Sequence, residues 1–146
     1  MSTKPYFTIT REIAATPDRV FDVLVTPEEF AAWWGGDQVT VPLDTVAIDA
    51  RPGGEWKATM QLPDGSTKDW VGEYVEVERP TRLVYTITDD ATNPARDTVI
   101  FTVAASDIGS TLTASQHGGG LPEEYHEAVT AGWTHFVDTI AAVATA

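Results

Sequence analysis

Apolar and polar residues alternate with a period of two through the middle of this chain, and recur with a helical period near both ends. Tyr6-Phe7-Thr8-Ile9-Thr10-Arg11-Glu12-Ile13 is aromatic and β-branched and predicts a first strand. Thr16-Pro17-Asp18 predicts a short helix, with Thr16 as N-cap, Pro17 at the first helical position and Val20, Phe21 and Leu24 on one face. Thr26-Pro27-Glu28-Glu29 predicts a second short helix, with Thr26 and Glu29 at capping-box spacing, running into Trp33-Trp34-Gly35-Gly36. From Val39 to His117 no helix is expected. Strand candidates follow one another at Val46–Asp49, Gly54–Leu62, Lys68–Val77, Arg82–Thr88, Thr98–Ala104 and Ser110–His117. The breaks are turn chemistry: Arg51-Pro52-Gly53-Gly54, Leu62-Pro63-Asp64-Gly65-Ser66, Glu78-Arg79-Pro80-Thr81, a loop from Asp89 to Pro94, and Ser106-Asp107-Ile108-Gly109. Connections this short make neighbours antiparallel.

Alternation also sorts faces. Trp56, Ala58 and Met60 share one, as do Leu83, Tyr85 and Ile87, and Val99, Phe101 and Val103; Leu112, Ala114 and Gln116 alternate against Thr111, Thr113, Ser115 and His117. Strands that are apolar on one side need a cover. The end of the chain supplies it. After Pro122, Tyr125, Val129, Trp133, Phe136, Val137, Ile140 and Ala144 recur at helical spacing, against Glu127, Thr134, His135 and Asp138. The helix would be about 20 residues, roughly 30 Å long. Gly132 in its middle costs about 1 kcal/mol relative to alanine, so close approach to another element is expected there. Gly118-Gly119-Gly120 reads as the corner before the helix.

Composition narrows the class. With 146 residues, 42% of them hydrophobic, the chain is expected to form a single domain over 1–146 with its own core. The net charge is −13, and the nine basic residues are scattered singly, which argues against nucleic acid or an anionic membrane as partner. There is no cysteine, so disulfides and thiol catalysis are excluded. No signal peptide and no membrane-length apolar run is visible, so a cytoplasmic soluble protein is the expectation.

Candidate chemistry is sparse. Of the three histidines, His126 and His135 point about 180° apart on a helix and cannot share an ion. His117 and His126 could approach across the glycine corner, but no third ligand is evident, so no metal and no cofactor is expected. Glu55, Asp69, Glu73 and Asp97 lie in or beside strands, and one facing inward could act as general acid or base. No serine triad, nucleophile elbow or phosphate loop is present. The aromatic set is richer: rings on inward positions fill a core or line a pocket, where indole N–H and phenol O–H groups supply polar contacts.

The order of elements, β-α-α, about six β, then a long α, together with several motifs, resembles a known family. The motifs are Ala14-Ala15-Thr16-Pro17 with Val20-Phe21, Trp33-Trp34-Gly35, Arg51-Pro52-Gly53-Gly54-Glu55-Trp56, Asp64-Gly65, Gly72-Glu73-Tyr74, Glu76-Val77-Glu78-Arg79-Pro80-Thr81-Arg82-Leu83, Thr111-Leu112-Thr113 and Gly132-Trp133. They look like those of the activator of Hsp90 ATPase homologue 1-like branch of the START-like (SRPBCC) superfamily. The resemblance implies an α+β helix-grip fold, a curved antiparallel sheet of six to seven strands wrapped around a long C-terminal helix with two short helices after the first strand. It also implies a cavity between sheet and helix, used by relatives to bind apolar molecules or for cyclase, hydrolase or oxygenase-linked chemistry. The expected function is therefore a non-enzymatic START-like domain binding a small apolar ligand, with a stress-related or regulatory role. The residues expected at the ligand are Trp33, Trp34, Trp56, Met60, Tyr74, Tyr85, Phe101, His117, His126, Val129, Trp133 and Phe136. The alternatives are a cyclase- or hydrolase-type enzyme using His117 or an inward carboxylate with Tyr74 or Tyr85, and a chaperone-related interaction domain. Homodimers occur among similar proteins, so a second copy of the chain is a candidate partner.

Overall fold

A computed structural model describes residues 4–34, 39–118 and 121–146. The Gly35-Gly36 pair and the Gly119-Gly120 part of the expected corner lie outside the described residues. Seven antiparallel strands form one sheet, at the upper end of the expected range: β1 (Phe7–Ile13), β2 (Ala47–Ile48), β3 (Glu55–Gln61), β4 (Thr67–Glu78), β5 (Arg82–Ile87), β6 (Asp97–Ser106) and β7 (Gly109–His117). Their order is β1-β7-β6-β5-β4-β3-β2. Strands two to seven form a meander, joined by short turns except between β5 and β6, where a loop over residues 88–96 makes the connection. At the β3–β4 hairpin Gly65 takes φ +89°, and the Asp64 side chain accepts the Ser66 backbone N–H at 2.9 Å. The first strand joins the last, Phe7 opposite Gln116 and Ile13 opposite Ser110. A register shift between Tyr74 and Glu76 turns Val75 outward, where it is exposed, and such a bulge bends β4 so that the sheet curls.

Between β1 and β2 lie α1 (Pro17–Val25) and α2 (Pro27–Trp33). Thr16 caps α1 as expected, its hydroxyl accepting the Arg19 N–H at 3.2 Å. The capping box expected at Thr26 and Glu29 does not form. Thr26 is also the residue that ends α1, and its backbone N–H is already bonded to Asp22 O at 2.9 Å, so a Glu29 side chain has no free donor to reach back to. Glu29 instead accepts from the Arg19 guanidinium, Nη1 to Oε1 at 2.9 Å, and the same guanidinium reaches Val143 O at 3.1 Å. One side chain thus joins both short helices to the end of the chain.

The long helix α3 (His126–Ala144) starts later than expected, after a 3-10 turn at Glu123–Tyr125. That turn swings Tyr125 off the apolar stripe, and it is exposed. Trp133, Val137, Ile140 and Ala144 hold the buried stripe, each worth on the order of 1.5–3 kcal/mol for the larger side chains. The helix packs closest against β1, α1 and α2, that is, along one side of the sheet. Towards β3–β5 helix and sheet diverge, and this divergence creates the cleft described next. Among the described residues no helix is long and apolar enough to cross a membrane.

Candidate functional site

Rings fill the interior where helix and sheet meet. Trp34, at the end of α2, touches Phe30 (5.4 Å between centroids), Trp56 (5.5 Å), Trp70 (5.8 Å), Trp133 (5.8 Å) and Phe136 (5.3 Å). Two neighbours in sequence differ in their polar atoms. The Trp33 indole N–H donates to Val23 O at 2.9 Å, whereas the Trp34 N–H is buried without a partner among the described residues. An unmet buried donor costs about 1–3 kcal/mol.

Beside this cluster is a half-open cleft of about 470 Å³ between α3 and β3–β7. Trp34, Met60, Trp70, Val129, Trp133 and Phe136 form its apolar walls. Gly132 opens directly onto it: a Cβ there would meet nothing within 4 Å. The expectation that this glycine allows close packing is therefore overturned. Its missing side chain leaves space in the cleft instead of bringing two elements together.

The polar side of the cleft is a connected set. The Trp133 indole N–H donates to Gln116 Oε1 at 2.9 Å, which turns the Gln116 amide nitrogen towards Asp97 Oδ2 at 3.0 Å. The Tyr6 hydroxyl donates to Asp97 Oδ1 at 3.1 Å and accepts the Leu121 N–H at 3.2 Å. Gln116, Asp97 and Leu121 all line the cleft. On the opposite rim, Lys68 reaches Asp89 at 2.9 Å and lies over the Trp70 ring at 5.2 Å, while the Trp70 N–H meets Met60 Sδ at 3.2 Å.

Of the residues expected at a ligand, Trp34, Met60, Val129, Trp133 and Phe136 come together on the cleft wall. Trp33, Trp56, Tyr74, Tyr85 and Phe101 are buried in the ring cluster behind it. Burial pushes the Tyr74 hydroxyl well above the usual range, with the Asp49 carboxylate adding to it, and burial beside Tyr74 does the same to Tyr85. Both stay as neutral phenols, and the Tyr85 hydroxyl has no hydrogen-bond partner among the described residues. His117 ends β7 opposite Thr98. His126 packs tilted against the Tyr6 ring, 4.7 Å between centroids, and meets Leu121 O at 2.9 Å, so it braces the corner without lining the cleft. Glu55, Asp69 and Glu73 are exposed, leaving Asp97 as the inward one of the four strand carboxylates considered. No three His, Asp or Glu side chains among the described residues are grouped to hold a metal ion.

Sequence reasoning about the ligand passed over Gln116 and Asp97, although a signal was present. Asp97 continues the inward phase of Val99, Phe101 and Val103, and Gln116 that of Leu112 and Ala114. A polar side chain in the apolar phase of a strand must find partners inside, and these two find each other.

Residues 14–145 match the profile of the family described as activator of Hsp90 ATPase homolog 1-like protein. Solved structures share the fold over nearly the whole chain. A protein of Chromobacterium violaceum has 26% identity and a TM-score of 0.80, covering 94% of this chain and 95% of that one. The AHSA1 protein of Silicibacter pomeroyi has 25% identity and a TM-score of 0.79, covering 93% and 94%. A protein of Nitrosomonas europaea reaches a TM-score of 0.82 at 23% identity, covering 95% and 93%, a likeness of fold alone. No curated protein sequence matches the chain.

Proposed function

The chain belongs to the activator of Hsp90 ATPase homolog 1-like family and has a START-like fold, and from that premise we propose that it is a non-enzymatic module binding a small, largely apolar molecule in the cleft between α3 and the sheet. The observation that carries this reading is Gly132. A glycine in mid-helix sacrifices about 1 kcal/mol, and here the sacrifice leaves room in an aromatic-walled space. The volume, about 470 Å³, falls within the range of roughly 300–1,000 Å³ usual for small-molecule pockets. Of the groups that a cyclase or hydrolase reading would use, the inward carboxylate Asp97 lines the cleft, but Tyr74, Tyr85 and His117, one of which that reading needs beside it, lie outside the lining, which favours binding over turnover.

Calorimetric titration with 2-naphthylmethanol, a medium-chain fatty acid and a flavonoid tests this. At least one probe is expected to bind saturably at one site. The Gly132→Leu variant, whose new side chain would occupy the cleft, is expected to lose at least about tenfold in affinity, equivalent to 1.4 kcal/mol, while its melting temperature is retained. Saturable binding by none of the three, or equal binding by the variant, would overturn the proposal.

A further inference from the structure

The charge of the cleft narrows the ligand class. We infer that the cleft takes an arylalkylamine as its ammonium ion, with the charged end on Asp97 and the ring body along Trp34, Trp133 and Phe136. This rests on the binding role proposed above and adds to it the chemistry of the ligand.

Asp97 is the first residue of β6 and lies in that strand's inward row. Its carboxylate is fixed by two neutral donors, the Tyr6 hydroxyl on Oδ1 at 3.1 Å and the Gln116 amide on Oδ2 at 3.0 Å. The amide cannot turn away without leaving the Trp133 N–H, which is bonded to its oxygen at 2.9 Å. Backbone closes a further side, since a Cβ on Gly118 would stand 2.0 Å from Oδ1. A carboxylate has roughly four acceptor positions, and among the described residues side chains take two. The remaining lone pairs belong to a residue on the cleft wall.

No cation among the described residues pairs with this charge. None of the ion pairs among the described residues includes Asp97. The cleft's own cation, Lys68, is held by Asp89 at 2.9 Å and by the face of Trp70. Neutral hydrogen bonds orient a carboxylate but leave its charge uncompensated, and a wholly apolar ligand would strip water from it at a cost. An anionic ligand would meet Asp97, Asp89 and a chain of net charge −13. A protonated amine removes the mismatch through a charge-assisted hydrogen bond, about twice as strong as a neutral one. The indole faces that remain attract cations as well. The net acidity of the chain raises the local concentration of cationic ligands and speeds their approach.

Three probes of one shape separate the charges: 2-naphthylmethylamine, the neutral 2-naphthylmethanol and the anionic 2-naphthoate, titrated calorimetrically at neutral pH and low salt. The amine is expected to bind at least about tenfold tighter than the alcohol, the gain of one charge-assisted contact, and the naphthoate weakest of the three. Asp97→Asn keeps the shape and removes the charge. It is expected to bring amine and alcohol within about twofold of each other, chiefly through the amine's loss of affinity. Equal binding of amine and alcohol to the native protein overturns the inference and leaves the cleft's binding role standing, as does a preference for the amine that survives in Asp97→Asn. Binding of none of the three overturns the inference, and the binding role falls with it if the fatty acid and the flavonoid fail as well. The native comparison needs no variant, so a poorly folding Asp97→Asn does not rescue the inference.

Discussion

Trp33 and Trp34 show how far one residue's surroundings decide its role. Both are buried indoles in the same ring cluster. One N–H is bonded to Val23 O at 2.9 Å and the other has no partner among the described residues. Phenylalanine keeps most of the ring and removes the N–H. Trp33→Phe should therefore strand a carbonyl and lose a hydrogen bond, while Trp34→Phe should remove a cost. Urea unfolding is expected to find Trp33→Phe less stable than Trp34→Phe by about 1–3 kcal/mol; equal losses would show that the indole N–H groups do not decide the difference. The sequence indicates that such residues face inward but not what they meet. Trp56, Tyr85 and Phe101 share the inward phase with Met60, yet only Met60 reaches the cleft. Phase gives the face of a strand, and the position of a side chain across a curled sheet depends on partners far away in the chain.

At the scale of elements, the sequence was most legible where local chemistry decides. Gly65, Asp64 and the proline-containing turns set the strand boundaries, and Thr16 and Pro17 set the start of α1. It was least legible where one residue serves two elements. Thr26 ends α1 and begins α2, so the capping box is blocked by a hydrogen bond that sequence spacing cannot reveal. The bulge at Val75 was hidden for a related reason, because a register slip is a property of a pair of strands. In α3, Gly132 separates two explanations of a mid-helix glycine. If it allowed close packing, a methyl group would clash. With nothing within 4 Å of a Cβ, Gly132→Ala is expected to raise stability by about 1 kcal/mol from helix propensity alone. Thermal unfolding measures this, and a loss of stability would restore the packing explanation.

For the whole molecule, the partnership of an apolar sheet face with the final helix followed from two periodicities, and the family resemblance added the curvature of the sheet and its six to seven strands. The resemblance implied a cavity between sheet and helix, but the position of the cleft towards β3–β5 followed from neither. It arises because β1 joins the far side of β7, so that α3 is drawn towards β1, α1 and α2 and away from the curl of β3–β5. Its polar side joins Tyr6, Asp97, Gln116, Leu121 and Trp133, whose contacts span up to 115 positions. The same asymmetry predicts where a ligand sits. Isotope-filtered NMR on the protein saturated with 2-naphthylmethanol tests this most directly. Intermolecular NOEs are expected from the naphthyl protons to the Met60 methyl, the Val129 methyls and the Gly132 Hα. NOEs confined to outward residues such as Val75 and Ile108, or none at saturation, would contradict the assignment of this cleft as the binding site.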